Sequence, residues 1–390
     1  MRVVGTVAVL VLLAPGLASA QSQSISDVLS FLVTNRSIPT EDFVRDEAAA
    51  AATRDTISGL LLVELATLPI SSSAGGFTYR LNPALGTVMR SSDSFGPFFT
   101  ERSLTAGRAR SSFGIGYRSA MFDTIDGRDL RDGTLVSTAS RLRTESQPFD
   151  VETVTLRIRS DTVTATANYG VTDRFEVGAA LPIVRVDLSG QRVDTYRGRE
   201  FIQATGSASA SGLGDLIVRA KYNVVRRGAG GLAIGGEARL PTGDEENLLG
   251  AGEASFRPRL IGSAERDRLG LHGEVGYAFG GLVDELDYNG ALTFVAVPKF
   301  TVIGEFIGRR LDGVGRLSET VTPHPRLVGV DTIRLTSVSE STDRVVAVFG
   351  VKWNVAGTLL LSANLLKPLT DSGLNARWIP SVTVDLSFGQ

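Results

Sequence analysis

The sequence predicts an all-β protein: an antiparallel transmembrane β-barrel of about 12 strands, within a range of about 12–14, with a short α-helical N-terminal segment. Three observations support this fold class. Segments that alternate apolar and polar residues recur from Phe113 to the C-terminus. Short and long connections between these segments alternate along the chain. Aromatic residues gather near the ends of the predicted strands, as they do at the two interfaces of a bilayer.

The first 20 residues predict a cleaved secretory signal peptide. Arg2 precedes an almost wholly apolar run from Val3 to Leu17, and Ala18-Ser19-Ala20 supplies small residues before Gln21. The run is too short for a membrane helix, which needs about 20 apolar residues, and no later run reaches that length. We therefore expect export through the inner membrane and residence in the bacterial outer membrane as a barrel.

The composition excludes several kinds of site. The chain has 0 Cys, so it has no disulfide, no thiolate metal ligand and no cysteine nucleophile. Its formal net charge of −2 argues against a nucleic-acid partner. The 43 glycines suit a β-protein with many turns.

Residues 21–74 predict a helical N-terminal segment. Ile25 to Val33 is apolar at helical spacing. Thr40-Glu41-Asp42 then offers an N-cap with acidic residues in the first turn, ahead of the alanine run Ala48 to Ala52 and the apolar Leu60 to Leu68. Two helices follow from this pattern. They are interpreted either as a plug in the barrel or as a periplasmic extension.

Residues 75–110 predict an irregular lead-in with short strands, and residues 111–390 predict the barrel. A hairpin between Phe77 and Arg102 would raise the strand number from about 12 to about 14. The connections predicted to be short are Gly170 to Arg174, Arg227 to Gly230 and Val355 to Gly357, and those predicted to be long loops are Asp123 to Asp150, Ser189 to Gly212 and Asp312 to Ser341. Such alternation is typical of a membrane barrel.

The last predicted strand, Trp378 to Gln390, closes the barrel against the first strand near Phe113. Its apolar residues share one parity, and it ends on the aromatic Phe388 before Gly389 and Gln390. This ending is similar to the aromatic-terminated strand that the barrel-assembly machinery reads in outer-membrane proteins. The aromatic residues predicted at the membrane interfaces are Phe113, Tyr169, Phe175, Tyr222, Phe300, Trp353, Trp378 and Phe388.

Charged residues occupy the parity opposite the apolar face, and they cannot face lipid. They are predicted either to satisfy one another and hold the N-terminal segment, or to form a constriction for a permeating solute. Glu237 with Arg239 and Glu253 with Arg257 would brace the interior. The candidates for lining the lumen are Arg118, Arg219, Lys221, Glu237, Arg239, Glu253, Arg257, Arg259, His272, Glu274, Glu305, Arg309 and Lys352.

No catalytic residue, metal site or cofactor is predicted. The chain has two His, His272 on an inward parity and His324 in a predicted external loop. A lipid-modifying barrel enzyme would place a Ser–His pair toward the lipid, which is the wrong side for His272.

Three motifs resemble the turn and strand signatures of outer-membrane transporters associated with phenol meta-cleavage pathways, which are distantly similar to the long-chain fatty-acid and aromatic-hydrocarbon channels. The motifs are Tyr169-Gly170-Val171-Thr172-Asp173-Arg174 with its following strand to Leu181-Pro182, Gly212-Leu213-Gly214-Asp215, and Leu240-Pro241-Thr242-Gly243-Asp244. The resemblance runs from about Gly75 to the C-terminus. It implies a barrel that imports hydrophobic or aromatic compounds.

The expected function is an outer-membrane channel for passive uptake of small hydrophobic or aromatic solutes. Its expected partners are outer-membrane lipid, the barrel-assembly machinery and the solute. A structural or adhesive barrel acting through its extracellular loops is the alternative, and a lipid-modifying enzyme is a further one.

Overall fold

The structure, a computed structural model, describes residues 24–34, 43–66, 70–73, 75–82, 87–90, 92 and 94–389. The predicted signal peptide, 1–20, lies outside the described residues. The helices are α1 (Ile25–Val33) and α2 (Phe43–Ala66), close to the two helices predicted from the sequence. Ser24 caps α1, because its hydroxyl accepts from the Asp27 backbone N–H at 3.0 Å. Neither described helix is both long and apolar enough to cross a membrane.

The described strands fall into a small hairpin and one large sheet. They are β1 (Tyr79–Asn82), β2 (Thr87–Arg90), β3 (Arg110–Ile125), β4 (Arg128–Asp129), β5 (Leu135–Leu142), β6 (Asp150–Gly170), β7 (Phe175–Tyr196), β8 (Arg199–Leu213), β9 (Leu216–Arg227), β10 (Gly230–Leu240), β11 (Ser255–Arg266), β12 (Leu269–Gly280), β13 (Asp284–Val297), β14 (Phe300–Pro323), β15 (Val330–Ala356), β16 (Leu359–Pro368), β17 (Leu374–Ala376) and β18 (Ile379–Gly389). The β1–β2 hairpin pairs only with itself, so it adds no barrel strand.

Twelve of these strands close into an antiparallel barrel, which confirms the predicted fold class. Going round the barrel, the order is β3, β6, β7, β9, β10, β11, β12, β13, β14, β15, β16, β18 and back to β3. The closing strand pairs with the first strand as predicted, with Leu386 opposite Phe113. Every turn at one end, the short-turn end, is brief. The other end is called the long-loop end.

The chain segments predicted as long loops are mostly strand, which corrects that prediction. β6, β7, β14 and β15 continue far beyond the barrel, and β5 and β8 extend the same sheet. The result is a tall wall, formed by β14, β15, β5, β6, β7 and β8, on one side of the long-loop end. The reason is that apolar residues such as Val186 and Leu188 keep their inward alternation and find helices to pack against.

The outward face of the barrel is apolar and exposed. Ile115, Leu271 and Phe349 are each more than 60% exposed, and they belong to a belt of large apolar side chains around the outside of the barrel. A soluble protein rarely exposes such a continuous surface, whereas a membrane barrel requires it. At the short-turn end, aromatic residues stand side by side on paired strands, with Phe175 opposite Tyr222 and Phe300 opposite Trp353. Phe113 and Phe388 also meet, at 6.1 Å between ring centroids.

The interior changes character along the barrel axis. Toward the long-loop end, inward side chains such as Phe122, Val184 and Leu311 form one apolar cluster with residues of α1 and α2. Toward the short-turn end, the inward residues are mostly polar or charged, and the described residues of the range 70–106 occupy the space between them. The buried core therefore lies between the helices and the tall wall, and a polar lumen lies below it.

Candidate functional site

The candidate site is the barrel lumen, which the N-terminal part of the chain occupies. α1 contacts β7 and β8, and α2 contacts β14, β15 and β17, at the long-loop end. The described part of residues 70–106, called here the plug segment, descends through the lumen and reaches the short-turn end just before β3. The helices α1 and α2 thus pack at the long-loop end, and whether residues 21–74 are a plug or a periplasmic extension stays a prediction.

A buried carboxylate holds the plug segment to β9. The Glu101 carboxylate forms ion pairs with the Lys221 ammonium at 2.9 Å and with the Arg219 guanidinium at 3.3 Å. All three side chains are at most 8% exposed. Its oxygens also accept from the backbone N–H of Ser73 at 2.7 Å. Lys221 has a second carboxylate partner, Glu176 on β7, at 3.4 Å. Charge pairs this well desolvated are strong constraints on position, because removing one partner leaves the other buried and unmatched.

The next anchors bind the backbone of the plug segment. Glu305 on β14 accepts from the backbone N–H groups of Phe98, Phe99 and Thr100, so one carboxylate fixes a whole bend. Lys352 on β15 donates to the carbonyls of Gly75 at 2.9 Å and Pro97 at 2.8 Å. Because these bonds go to main-chain groups, they fix the path of the chain whatever its side chains are.

Glu265 on β11 anchors the plug segment through a buried arginine. The fully buried Arg102 lies 3.6 Å from the Glu265 carboxylate and donates to the Gly76 carbonyl at 2.7 Å. Beside it, Ser263 accepts from the Ser103 backbone N–H at 2.9 Å. Ser263 also contacts His272 Nδ1 at 3.1 Å, since the two residues stand opposite each other on β11 and β12. This Ser–His contact faces the lumen and packs against the plug segment, away from lipid.

A ladder of alternating charges continues up the wall toward the helices. Arg257 lies between Glu285 at 3.2 Å and Asp287 at 3.1 Å, and Arg259 contacts Glu237 at 2.8 Å. At its top, Glu64 of α2 meets Arg309 and Arg344. The ladder therefore joins the barrel wall to the C-terminal end of α2.

The helix α1 is held at its C-terminal end, where carbonyl groups lack helical partners. Arg192 on β7 donates to the carbonyls of Phe31, Leu32 and Thr34. The guanidinium is in turn paired with Glu152 on β6 at 2.6 Å. The outward residues of β6 are already charged at Arg157 and Arg159, so this cluster lies beyond the apolar belt.

This cluster predicts a pH dependence of the tall wall. Burial raises the pKa of Asp150 and of Glu152 to about 7, and for Asp150 a hydrogen bond with Asp194 adds to the effect. Between the ordinary values of 3.8 and 4.5 and about pH 7, the folded state therefore binds more protons than the unfolded state. Stability of β6–β8 should fall as pH rises through that window. Hydrogen exchange of β6 and β7 measures this, and the Asp150→Asn variant should show a smaller pH dependence; an equal slope in both would contradict it.

The first motif singled out in the sequence forms the exit of the plug segment at the short-turn end. Thr172 accepts from the backbone N–H groups of Arg174 and Phe175, which shapes the turn between β6 and β7. Asp173 then accepts from Thr105 and Arg108, and the Gly170 carbonyl accepts from the Ala109 N–H at 2.8 Å. The motif is thus a turn, called here the gripping turn, that forms hydrogen bonds with the chain as it leaves the lumen.

The other two motifs come together at the long-loop end. Asp215, from the second motif, is 2% exposed and accepts from the backbone N–H of Gly243 at 3.1 Å and of Ala251 at 2.8 Å. Thr242, from the third, donates to the Gly214 carbonyl at 2.9 Å. The sequence separates these motifs, and only the adjacent pairing of β9 with β10 brings them together. They build a clasp that folds the loop 241–254 against the barrel rim.

Replacing Asp215 with alanine should release that loop. The buried N–H groups of Gly243 and Ala251 would lose their acceptor, at about 1–3 kcal/mol each. Limited proteolysis should then cut within residues 241–254 much faster than in the unmodified protein. Asp244→Asn is the control, because Asp244 is exposed and its partner Asn247 is only half-buried. Equal cleavage of both variants would contradict the clasp.

The structure places most of the predicted lumen residues on the inward face, but not all. Glu253 is exposed in the loop before β11, so the predicted pair with Arg257 is wrong, and Arg257 binds Glu237, Glu285 and Asp287 instead. The prediction extends the alternation of β11 back to Glu253, whereas the strand starts at Ser255. Glu237 likewise contacts Arg257 and Arg259 across the sheet. The inward residues that agree are Arg118, Arg219, Lys221, Glu237, Arg239, Arg257, Arg259, His272, Glu274, Glu305, Arg309 and Lys352. Their role as a constriction stays a prediction.

Sequence reasoning missed the partners that the N-terminal part supplies. Glu64, Glu101 and Arg102 lie in segments without β periodicity, and only their charge in otherwise apolar or small-residue surroundings signals burial. His324 caps the turn between β14 and β15, where its Nδ1 accepts from the backbone N–H of Leu327 at 3.1 Å.

Little space is left beside the plug segment. The spaces found between its described residues and the wall measure about 20 to 30 Å³ each, enough for one or two water molecules. A cleft of about 1350 Å³ exists as well, and its lining residues, such as Arg157 and Asp187, belong to the region of β3–β8 and not to the plug segment. Within the described part of the chain, no group of three His, Asp or Glu residues is placed to hold a metal ion.

The chain is similar to an outer membrane channel from Pseudomonas putida F1, with 10% identity, 73% of this chain and 98% of that one covered, and a TM-score of 0.49. It is also similar to a Pseudomonas aeruginosa FadL homologue (10% identity, 82% and 98% covered, TM-score 0.32) and to the translocator domain of the autotransporter NalP from Neisseria meningitidis (10%, 73% and 89%, TM-score 0.35).

No curated protein sequence matches the chain. A family model does: its description is "Putative MetA-pathway of phenol degradation", and it matches residues 133–309. The matched region contains the gripping turn and both halves of the clasp. The family resemblance inferred from those motifs is therefore confirmed over residues 133–309.

Proposed function

We propose that the protein is an outer-membrane channel for small hydrophobic or aromatic solutes, with the N-terminal part of the chain as its plug. The observation that carries this proposal is the apolar interior at the long-loop end. There, inward side chains of the barrel and apolar side chains of α1 and α2 form one buried cluster above a polar lumen.

The placement of α1 and α2 supports an opening of the apolar interior at the long-loop end, called here the apolar chamber. The tall wall covers only part of the rim, over β14, β15 and β5–β8, whereas the connection between β12 and β13 is short and the loop 241–254 lies between β10 and β11. α1 is tied to the wall chiefly at one end, through Arg192. A solute that binds the apolar wall competes with the helices for the same surface, and such competition is how a ligand shifts a plug toward an open state.

The family description supports the aromatic solute class, since it names phenol degradation. The short-turn end faces the periplasm in this proposal, because membrane barrels carry their brief turns on that side. The cleaved signal peptide and the aromatic-terminated last strand, proposed to be read by the barrel-assembly machinery, complete the route of the chain to the outer membrane.

Liposome flux tests the proposal. Because neutral phenol also diffuses through lipid, the flux of protein-free liposomes is measured at early times and subtracted; liposomes carrying the full-length protein should admit phenol faster than this background and faster than liposomes carrying an unrelated closed barrel. Absence of flux above the background would sink the channel and favour the structural or adhesive alternative, in which the tall wall carries the activity.

A further inference from the structure

The lumen wall is divided into two unlike sides. Strand β7 and the strands from β9 to β15 carry the charged inward residues that hold the plug segment. The inward residues of β16, β18, β3 and β6 are mostly small and neutral, and together they are called here the hydroxyl wall: Ser362, Asn364, Ser381, Thr383, Ser387, Ser112, Gly114, Gly116, Thr162, Thr164, Thr166 and Asn168. Two charged residues stand among them, Asp385 and Arg118.

The register places these residues in rows across neighbouring strands. Thr383 stands opposite Gly116, which stands opposite Thr164, and one row lower Asp385, Gly114 and Thr166 follow in the same way. Gly116 lies between two threonines, whereas the space above Gly114 is filled by the Asp385 carboxylate and the Thr166 hydroxyl. A Cβ at position 116 would lie 3.1 Å from the Thr383 hydroxyl.

The plug segment is attached to the other side. Its described hydrogen bonds to the barrel go to β7, β9, β11, β14 and β15 and to the turn after β6, as for Glu305 and Lys352. Toward the hydroxyl wall it presents Gly76 and, across a narrow space, serine and aromatic side chains such as Ser72 and Phe98. At the short-turn end of that wall, Phe77 and Phe95 pack against Leu360 of β16. A Cβ on Gly76 would find its nearest wall atoms, on Leu360 and Ser387, at 3.8 and 3.9 Å.

Polar atoms of the hydroxyl wall are left without partners in the described structure. Ser362 Oγ and Asn364 Oδ1 are buried, on side chains 2% and 8% exposed, and neither makes a hydrogen bond to any described residue. Both line the space of about 20 Å³ between this wall and the plug segment, together with Ser112 and Thr383. Buried polar groups are normally paired, so this space is built to take a hydrogen-bonding molecule.

The hydroxyl wall leads into the apolar chamber. Toward the long-loop end, its strands continue with inward Leu366, Ile379, Phe122 and Ile158, all of the apolar cluster. A molecule moving along these strands therefore meets aliphatic and aromatic side chains first and hydroxyl groups second.

We propose that solute crosses the barrel along the hydroxyl wall, between it and the plug segment, and that the solute is a small uncharged molecule with an apolar body and at least one hydroxyl group. The proposal rests on the channel function proposed above. An anion or cation is disfavoured on this route because most groups of the wall are neutral dipoles in a confined space in place of water, and the charges beside them, on Asp385, Arg118 and Lys352, are of both signs. During passage the charged side of the lumen stays bound to the plug segment, and the hydroxyl wall separates from it.

The absence of cysteine makes the route testable by single-cysteine substitution. Thr383→Cys and Ser362→Cys place a thiol on the hydroxyl wall. Ala291→Cys is the matched control, since Ala291 is inward and buried on β13, on the charged side. Each variant is reconstituted in liposomes and treated with a bulky maleimide, and flux of phenol is compared with flux of benzoate, an anion of similar size.

Labelled Thr383→Cys and Ser362→Cys should lose about tenfold or more of their phenol flux, equivalent to one decade in rate, whereas treated Ala291→Cys should keep its flux. Phenol should exceed benzoate by a similar factor in the untreated protein. Failure of the reagent to label or block the two wall variants, or block at Ala291→Cys alone, overturns the route but leaves the channel intact. Equal flux of benzoate overturns the solute class. A wild-type barrel that passes neither solute overturns the channel function and this route together.

Removal of the Thr383 hydroxyl gives a second test, which does not depend on labelling. Thr383→Val keeps the shape of the side chain and removes the hydroxyl, so phenol flux should fall a few-fold at unchanged heat-modifiability of the barrel. Unchanged flux would mean that this hydroxyl does not meet the solute.

Discussion

Replacing Glu101 with glutamine is expected to open the channel and to loosen the plug segment. The change leaves Lys221 and Arg219 buried with one negative charge fewer, and breaking a buried pair in this way costs about 3–5 kcal/mol. Because Lys221 keeps Glu176 at 3.4 Å, the lower end of that range, about 3 kcal/mol, is the expected loss. Single-channel recordings in planar bilayers should show a larger or more frequent conductance, and the heat-modifiability transition should move to lower temperature.

Asp187→Asn is the matched control for Glu101→Gln. It breaks an Asp–Arg pair of similar geometry, 3.0 Å from Arg185, but both partners are exposed and lie outside the lumen. An exposed pair is worth about 0–1 kcal/mol, so conductance and melting should hardly change. Equal behaviour of the two variants would show that Glu101 does not hold the plug.

The Gly170→Ala substitution is expected to have the other large effect, on folding of the short-turn end. The added methyl would overlap the carbonyl oxygen of Gly107 and lie 2.8 Å from its carbonyl carbon, and both belong to backbone that has no flexible end to move. Gly107 itself has φ +98°, a conformation that other residues rarely adopt, so the local chain has few alternatives. We expect a loss of about 3 kcal/mol or more in stability.

The same measurement, heat-modifiability after refolding into detergent micelles, separates this effect from a general intolerance of strands to alanine. Gly304→Ala adds a methyl to β14 where the nearest atoms, on Phe349, lie at 3.8 Å. That variant should fold with a change within about 1 kcal/mol. If Gly170→Ala folds as well as Gly304→Ala, the close contact between the turn and the plug exit does not exist in solution.

The barrel was predictable because each of its strands carries its own evidence. Alternation marks which residues face lipid, and Ile115, Leu271 and Phe349 are found there without knowledge of their neighbours. The closing pair of Leu386 with Phe113 follows from the same parity once the ends are known. Local patterns and short turns thus determine the strands, their order and their closure.

What the inward charges bind was not predictable by the same means. Glu101 and Glu64 reach their partners across more than a hundred residues of sequence, from segments with no strand periodicity. Ser263 meets His272 only because a register fixes them opposite each other. The extensions of β14 and β15 were mistaken for loops, since their outward face becomes charged and exposed beyond the lipid, which hides the alternation.

The threaded path of the chain has a consequence for biogenesis. The plug segment leads directly into β3, and β3 forms the seam with β18, the last described strand in chain order. Helices α1 and α2 stand at the far end of a wall that is already closed, and closed walls offer no side entrance for a folded helix. With the short-turn end toward the periplasm, as proposed, we expect the N-terminal part to cross the bilayer while the seam is still open, so that pairing of β3 with β18, from Arg110 opposite Gly389 upward, then holds it in place. Assembly of this barrel and loading of its plug would then be one event.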